Sequence, residues 1–255
     1  MTTSARSRGL TLASAAESHE RFRLGYPDEV VDRTLAYAGR PVATAVEIGA
    51  GTGKATRAFA SRGVRVIALE HVPDMFSVLQ REAVGMQVDP VPSAFEEYDG
   101  PPVDLVFAAG SWHLTDPITR WAHAADLLVD GGALAVFGAR VCIADPAVQA
   151  AVAQACRTTL DDSAFQPPGG ASGRRRVWPG DELDGSPLFT DVEDHLLARE
   201  VLLPHREYIG YLTTLSALLE LPLEERQHVL RRIGYVVPDQ VRVDITIRLV
   251  LARRS

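Results

Sequence analysis

The chain has 255 residues, 46% of them hydrophobic and 23% charged, and its formal net charge is −7. Its length and composition are those of a globular protein with a full apolar core. The acidic balance argues against a nucleic-acid backbone as the main partner, because phosphate binding needs clustered Lys and Arg.

Other sequence-wide features predict a cytoplasmic protein that binds neither a membrane nor a structural metal. No apolar run approaches the length of a membrane span, and the first ten residues lack the apolar centre of a signal peptide. Cys142 and Cys156 lie in apolar surroundings without C-x-x-C spacing, so we expect reduced thiols. The seven histidines show no metal-ligand spacing.

The N-terminal region predicts two helices ahead of the first strand. Residues 1–10 are expected to be disordered, and the pattern from Ala13 to Phe22 is compatible with a helix. Pro27 then begins a second helix, Asp28 to Ala38, with acidic residues in its first turn, where the helix dipole favours them. Residues 39–41 end this helix.

A glycine-rich turn follows the first predicted strand. An apolar run, Val42 to Ile48, enters a turn with glycines at positions 49, 51 and 53, and a helix-like run, Lys54 to Arg62, leaves it. Such a turn leaves backbone N–H groups free and lets a ligand approach the main chain closely. It predicts a nucleotide-type site at the carboxyl end of the first strand of an open α/β sheet.

The spacing of the glycines narrows the class of ligand that this turn is expected to bind. The dinucleotide pattern G-x-G-x-x-G/A requires Gly or Ala where this chain has Lys54 or Thr56. A phosphate-binding P-loop requires four residues between its first Gly and its Gly-Lys pair, whereas three separate Gly49 from Gly53. The pattern that fits is acidic-x-Gly-x-Gly-x-Gly, with Glu47 just ahead of the glycines.

With this pattern the sequence resembles the class I S-adenosylmethionine (SAM) dependent methyltransferases, whose first motif it matches. The resemblance implies that SAM is the cofactor, that S-adenosylhomocysteine is the product, and that the ligand carries no phosphate. The cofactor contacts it implies in this motif are Glu47, Gly49, Ala50, Gly51 and Gly53.

Two further segments fit the same cofactor. The second strand ends in Glu70, and an acid at this place accepts hydrogen bonds from ribose hydroxyls in nucleotide-binding α/β folds. His71 follows directly and is a candidate to flank the adenosine. After the third strand, Gln87 to Pro92, the resemblance places adenine contacts at Ala94 and Phe95, an apolar slot of the kind adenine needs.

The end of the fourth strand, Val103 to Gly110, decides between acceptor classes. Methyltransferases that act on exocyclic amines of nucleobases or on glutamine amides carry an Asn/Asp-Pro-Pro-Tyr/Phe tetrad here, whereas this chain has residues 109–112 as Ala-Gly-Ser-Trp. A Trp-His pair, Trp112-His113, resembles the small-molecule, natural-product branch (methyltransferase type 11-like). Ala109 is a further implied cofactor contact.

Candidate catalytic and acceptor-binding residues follow from this resemblance and from residue chemistry. A neutral His can accept a proton near pH 7, so His113 and then His205 are the candidate bases, and Tyr26 is an orienting group. The candidate acceptor contacts are Trp112, Glu17, Phe22 and Tyr208.

The rest of the chain is interpreted from periodicity alone. The predicted elements are a helix over 117–128 with Ile118, Trp121, Ala125 and Leu128 inward, a turn at 130–132, a strand over 133–137, a helix over 145–160, a strand over 192–203, helices over 208–219 and 223–233, and an alternating strand over 241–251. Residues 161–187 form either a solvated loop or a lid whose arginines, Arg174 to Arg176, meet an anionic acceptor.

The alternation of strands and helices predicts an α/β fold with a mostly parallel sheet and helices on both faces. Together with the resemblance, it implies a doubly wound, seven-stranded sheet of the Rossmann-like methyltransferase type, with an antiparallel last strand and a small helical cap. The predicted domains are N-terminal lid helices over 1–40, a SAM-binding core over 41–160, an insert and helical cap over 161–235, and a final strand over 236–255.

The predicted function is methyl transfer from SAM to an O, N or C nucleophile of a small molecule, such as an indole, carboxylate or hydroxyl compound of secondary metabolism. One alternative is a SAM-binding protein with a non-methylating role, in cyclisation or sensing. Another is a protein methyltransferase, which would need an open acidic groove. The chain is expected to be a monomer or a homodimer.

Overall fold

The computed structural model describes residues 15–157, 179–183 and 185–255. The predictions for residues 1–10 and for residues 161–178 of the insert, with Arg174 to Arg176, lie outside the described residues.

Seven strands of the described chain form one sheet with the order β3-β2-β1-β4-β5-β7-β6. The strands are β1 Thr44–Ile48, β2 Arg65–Leu69, β3 Val88–Val91, β4 Val103–Ala109, β5 Leu128–Ile143, β6 Phe189–Pro204 and β7 Gln240–Arg254. The helices are α1 (15–22), α2 Asp28–Ala38, α3 Lys54–Ala60, α4 Pro73–Glu82, α5 Arg120–Asp126, α6 Pro146–Cys156, α7 Pro179–Leu183, α8 His205–Leu212, α9 Ser216–Leu219 and α10 Leu223–Val236.

The first five strands are parallel where they pair. Val46 of β1 lies opposite Ile67 of β2 on one side and Val106 of β4 on the other. The last strand in sequence, β7, runs the other way: the amide N–H of Ala144, just after β5, reaches the carbonyl of Arg242 at 2.9 Å, and that of Ser255 reaches the carbonyl of Leu188 at 3.1 Å. The predicted fold class, with its antiparallel last strand, is confirmed.

The burial of each strand's two faces explains its pattern of apolar and polar residues. The central strands β1 and β4 are apolar almost without interruption, because both of their faces are covered. In contrast, β7 alternates between buried and exposed residues along its first half, as its period-two pattern predicts. The sheet therefore carries its core on both sides of the central strands.

The structure corrects the predicted region between β4 and β5. Helix α5 begins at Arg120 rather than at residue 117, and Ile118, predicted to point inward, is 87% exposed. Arg120 is the buried residue at that end of the helix. The prediction for Ile118 was wrong because it assumed that the apolar side chain, and not the arginine, would face the core.

The predicted turn at residues 130–132 lies inside β5. The register of β5 against β4 jumps from Val103 opposite Leu128 to Leu105 opposite Ala133, so residues 129–132 form a bulge in a longer strand. Gly131 has φ +69° there, a conformation that glycine adopts without a steric penalty. The sheet strand thus begins at Leu128 instead of residue 133.

The chain divides into two compact units. The core unit comprises Gly25–Ala139, Val177–Leu197 and Ile247–Ser255, and it holds the glycine-rich turn. The helical unit comprises Met1–Leu24, Arg140–Arg176 and Ala198–Thr246, with α6, α8, α9 and α10. The predicted helix over 208–219 is two helices, α8 and α9, which are separated at residues 213–215. The predicted division into lid, core, cap and final strand remains a prediction.

Two further observations concern the described residues. None of their helices is both long and apolar enough to cross a membrane. Cys142 is half-buried and Cys156 is buried, and neither forms a disulfide.

Asp104, at the start of β4, is hydrogen-bonded to the start of β1. Its carboxylate accepts hydrogen bonds from the amide N–H groups of Ala43 and Thr44, both at 3.0 Å. Replacing Asp104 with Ala leaves these donors without their partner, and we expect the free energy of unfolding in urea to fall by about 1–3 kcal/mol. Asp89→Ala is the matched control, because Asp89 makes only an exposed ion pair with Arg65, and a change within about 0.5 kcal/mol is expected. Equal losses in the two variants would contradict this role of Asp104.

Candidate cofactor and acceptor site

The glycine-rich turn crosses the carboxyl ends of the central strands. Gly49, Gly51 and Gly53 have φ of 63°, 60° and 86°, in the left-handed region. A side chain at Gly49 would also collide with β4, since a Cβ there would lie 2.7 Å from Cβ of Ser111. Glycine at position 49 therefore lets the end of β4 approach the turn closely.

Glu70 holds this turn from the end of β2. Its carboxylate is 5% exposed, accepting the N–H of Gly51 at 2.8 Å through one oxygen and that of Val72 at 2.7 Å through the other. A carboxylate has about four lone-pair directions, so two remain for further donors. This geometry fits the predicted ribose contact. His71 is exposed, with Nδ1 3.9 Å from the Glu70 carboxylate, and its role beside the adenosine remains a prediction.

Glu47 lies beneath the turn and is 1% exposed. It accepts a hydrogen bond from the hydroxyl of Thr56 on α3. Burial raises the pKa of the Glu47 carboxyl from 4.5 to about 8, and the bond from Thr56 offsets only part of that rise. The side chain supports the turn from inside, and its predicted contact with the cofactor remains a prediction.

The segment after β3 packs against the segment after β4. Phe95 begins a short 3₁₀ turn and is buried, with its ring centroid 6.3 Å from that of Trp112 and 4.6 Å from that of His123. Nε2 of His123 lies 2.9 Å from the Phe95 carbonyl. Ala94 is half-buried beside it. Both predicted adenine contacts thus belong to the core unit, as the glycine turn does.

The end of β4 meets the end of β1. The hydroxyl of Ser111 donates to the carbonyl of Ile48, and the N–H of Gly110 donates to the carbonyl of Phe137 at 2.8 Å. Tyr26 reaches this place too: its ring packs edge-on against Phe137 at 4.8 Å, and its hydroxyl would lie 3.3 Å from a Cβ on Gly110. Tyr26 and the predicted cofactor contact Ala109 therefore stand at the same sheet edge.

The two members of the Trp-His pair point in different directions. Trp112 is 4% exposed and belongs to the hydrophobic core, where its ring lies 4.7 Å from that of Trp121. His113 is exposed. Of this pair, the histidine is the side chain that solvent or a small molecule reaches, while the contact predicted between Trp112 and an acceptor remains a prediction.

The other candidate acceptor residues belong to the helical unit. The Phe22 ring packs on α8 so closely that a Cβ on Gly210 would lie 2.3 Å from it. Tyr208 is buried, and burial raises the pKa of its hydroxyl. His205 begins α8, and its N–H donates to the carbonyl of Asp239 at 2.8 Å. Glu17 is exposed. The predicted roles of Phe22, Tyr208, His205 and Glu17 remain predictions.

The sequence analysis missed a buried polar cluster near Trp112. Arg120 is 8% exposed, and its Nη2 donates to both carboxylate oxygens of Glu182 of α7, at 2.7 and 2.6 Å. Nε1 of Trp121 donates to the same carboxylate at 2.8 Å. An Arg-Trp pair at the start of an amphipathic helix is a weak signal for such a cluster, and nothing in the sequence pairs it with Glu182.

Comparison with known proteins agrees with this geometry. A family model described as a methyltransferase domain matches residues 45–132. An uncharacterised methyltransferase of Mycobacterium bovis is 38% identical over 135 residues, which are 52% of this chain and 54% of that protein. The chain thus spans about half the length of the curated relatives it matches. Residues 45–132 are thus similar to a methyltransferase domain.

Solved structures show a similar fold. A candidate type II methyltransferase from Anaeromyxobacter dehalogenans is 25% identical, with a TM-score of 0.64 over 91% of this chain and 98% of that one. A phosphoethanolamine N-methyltransferase of Haemonchus contortus, solved with phosphomonomethylethanolamine and S-adenosylhomocysteine, shares the fold, with a TM-score of 0.52 at 14% identity over 95% of this chain and 57% of that one. The chain therefore shares the methyltransferase fold of these two structures.

The raised pKa of Glu47 predicts a pH dependence of stability. The folded chain retains a proton on Glu47 that the unfolded chain loses, so the free energy of unfolding falls as the pH rises from about 4.5 to about 8. Glu47→Gln cannot ionise and still accepts the bond from Thr56. Urea unfolding at about pH 5 and about pH 8 should therefore give a smaller difference for this variant than for the wild type. Equal differences would contradict the assignment of this pH dependence to Glu47.

Proposed function

We propose that this protein transfers the methyl group of SAM to a small-molecule acceptor at the carboxyl edge formed by β1, β2 and β4. The observation that carries the proposal is the buried carboxylate of Glu70 bonded to the N–H of Gly51. It places a buried carboxylate that can accept ribose hydroxyls directly against the glycine-rich turn. Gly49 shapes this turn, because a Cβ there would collide with Ser111 at the end of β4.

Bound SAM supplies an electrophilic methyl carbon on a positively charged sulfur. The residues that would hold it are those of the glycine turn, Glu70 for the ribose, and the Ala94–Phe95 segment for the adenine. The protein's own contribution is mostly orientation, since placing a nucleophile in line with the methyl carbon removes much of the entropic barrier. An apolar surrounding further favours a reaction in which the sulfonium charge is lost.

The acceptor side rests on Tyr26 and His113. The Tyr26 hydroxyl lies over Gly110, where it can orient an acceptor by a hydrogen bond. His113 is exposed after β4 and can take a proton from an acceptor hydroxyl, phenol or amine. A small molecule is favoured as the acceptor because residues 109–112 lack the tetrad of the base and amide methyltransferases. A carboxylate acceptor has no proton to lose and would not need His113 as a base.

Calorimetric titration with SAM tests the cofactor proposal directly. The wild type should bind SAM with micromolar affinity and give no response to NAD. Gly49→Ala should weaken SAM binding by about tenfold or more, equivalent to ~1.4 kcal/mol, because its Cβ collides with Ser111.

The matched control for Gly49→Ala is Gly63→Ala. Gly63 also has a positive φ, +84°, but its Cβ would meet no atom within 4 Å. It should lose some stability and retain the wild-type affinity for SAM. A wild type that does not bind SAM, or two variants with the same affinity, would overturn the cofactor proposal.

A panel of small phenols, amines and carboxylic acids, with release of S-adenosylhomocysteine as the readout, tests the acceptor side. For a phenol or amine acceptor, His113→Gln should lower kcat by about a hundredfold with little change in SAM affinity. The control is His195→Gln, a histidine of the core unit that contacts Glu193 at 2.8 Å. An unchanged kcat for His113→Gln with such an acceptor would exclude His113 as the base. SAM binding without turnover of any small molecule would favour the sensing or cyclisation role instead.

A further inference from the structure

The buried ion pair of Arg120 and Glu182 makes more polar contacts than its small net contribution to stability explains. A buried ion pair contributes little net stability compared with apolar residues of the same volume, because both charges lose their hydration. Here Nη2 of Arg120 nevertheless contacts both oxygens of the Glu182 carboxylate, and Nε1 of Trp121 donates to one of them. These charge-assisted contacts hold the guanidinium of Arg120 beside α7.

The same guanidinium reaches the segment that follows β4. Its Nη1 donates to the carbonyl of Trp112 at 3.3 Å, and its carbon lies 5.5 Å from the Trp112 ring centroid and 5.6 Å from that of Trp121. The Trp112 carbonyl also accepts the Thr115 hydroxyl at 2.8 Å. Arg120 thus bonds to the turn of residues 111–115, which carries His113.

Helix α5 makes a second contact of this kind one turn further on. His123 lies within hydrogen-bond distance of the Phe95 carbonyl, in the segment that follows β3. One short helix therefore contacts a backbone carbonyl after each of the two strands whose ends border the proposed site, and Phe95 and Trp112 pack together between these contacts. Movement of Arg120 would change the spacing of the two segments.

We propose that Arg120, oriented by Glu182, is a positioning residue that holds the 111–115 turn, and through Phe95 the adenosine side of the site, in its binding geometry. This inference rests on the proposed function for its effect on SAM, whereas its effect on the turn itself does not depend on it.

Three variants test the role of Arg120. Arg120→Gln and Glu182→Gln should raise the Kd for SAM about tenfold or more, because a small displacement of the wall of a site costs a large factor in function. Arg120→Lys retains the charge beside Glu182, but a single ammonium cannot serve the carboxylate and the Trp112 carbonyl as the planar fork does. Compared with Arg120→Gln, the Arg120→Lys variant should recover much of the stability to urea while its affinity for SAM stays low. If it recovers both the stability and the affinity, the role of Arg120 is limited to charge pairing.

The matched control is Arg248→Gln. Arg248 makes a forked pair with Asp194 and belongs to the core unit, but it lies on β7 rather than on α5. It should lose stability and retain the wild-type affinity for SAM. If the Arg120 and Arg248 variants bind SAM equally well, the positioning role is wrong.

Hydrogen exchange separates this inference from the proposed function. The amides of Leu114 and Thr115 donate to the carbonyls of Ser111 and Trp112 within the turn. They should exchange faster in Arg120→Gln than in Arg248→Gln, whether or not SAM binds. Unchanged exchange would overturn the positioning of the turn, whereas a wild type that fails to bind SAM would overturn the proposed function alone.

Discussion

The contact between the ends of β1 and β4 sets the geometry of the site. Ser111 donates its hydroxyl to the carbonyl of Ile48, and the next residue, Gly49, has no Cβ to separate the two strands. The strand order changes direction between β1 and β4, and in open α/β sheets ligands bind in the crevice that forms at such a point. Every residue that the core unit contributes to the proposed cofactor site follows β1, β2, β3 or β4 at this edge.

Two buried acids stand at that edge, and the structure accommodates them in different ways. Glu70 receives a backbone N–H on each carboxylate oxygen, which replaces part of the hydration that an anion loses on burial. Glu47 receives one hydroxyl, and burial raises the pKa of its carboxyl to about 8, so it is mostly protonated at neutral pH. One acid can therefore present negative charge to a ligand, while the other completes the packing under the turn.

The elements that the sequence predicts well are those with a local cause. Helix α2 begins after Pro27 and ends at Gly39, and β7 shows a long period-two pattern, so both depend on residues close by in the chain. The glycine spacing likewise defines the turn without any tertiary information. These signals were sufficient for the fold class, and the predicted cofactor contacts remain a prediction.

The predictions that failed depend on contacts between distant residues. Ile118 was expected inside because it is apolar, but the stem of Arg120 can be buried when its charge finds a partner, and that partner is 62 residues away. The turn at residues 130–132 was expected to end before the strand, yet pairing with β4 draws it into β5 as a bulge. The local periodicity of the sequence predicts neither outcome.

The distinction between local and long-range causes also separates the cofactor side of the proposed reaction from its acceptor side. The proposed cofactor residues lie within residues 45–132, the range matched by the methyltransferase family model. Of the candidate acceptor residues, His205, Tyr208, Phe22 and Glu17 lie outside that range and in the helical unit. Binding of a cofactor places few constraints on residues that contact a different molecule, because specificity for an acceptor depends on the groups that touch it. Within the matched range, the roles proposed for Arg120 and His113 link the proposed cofactor site to an acceptor.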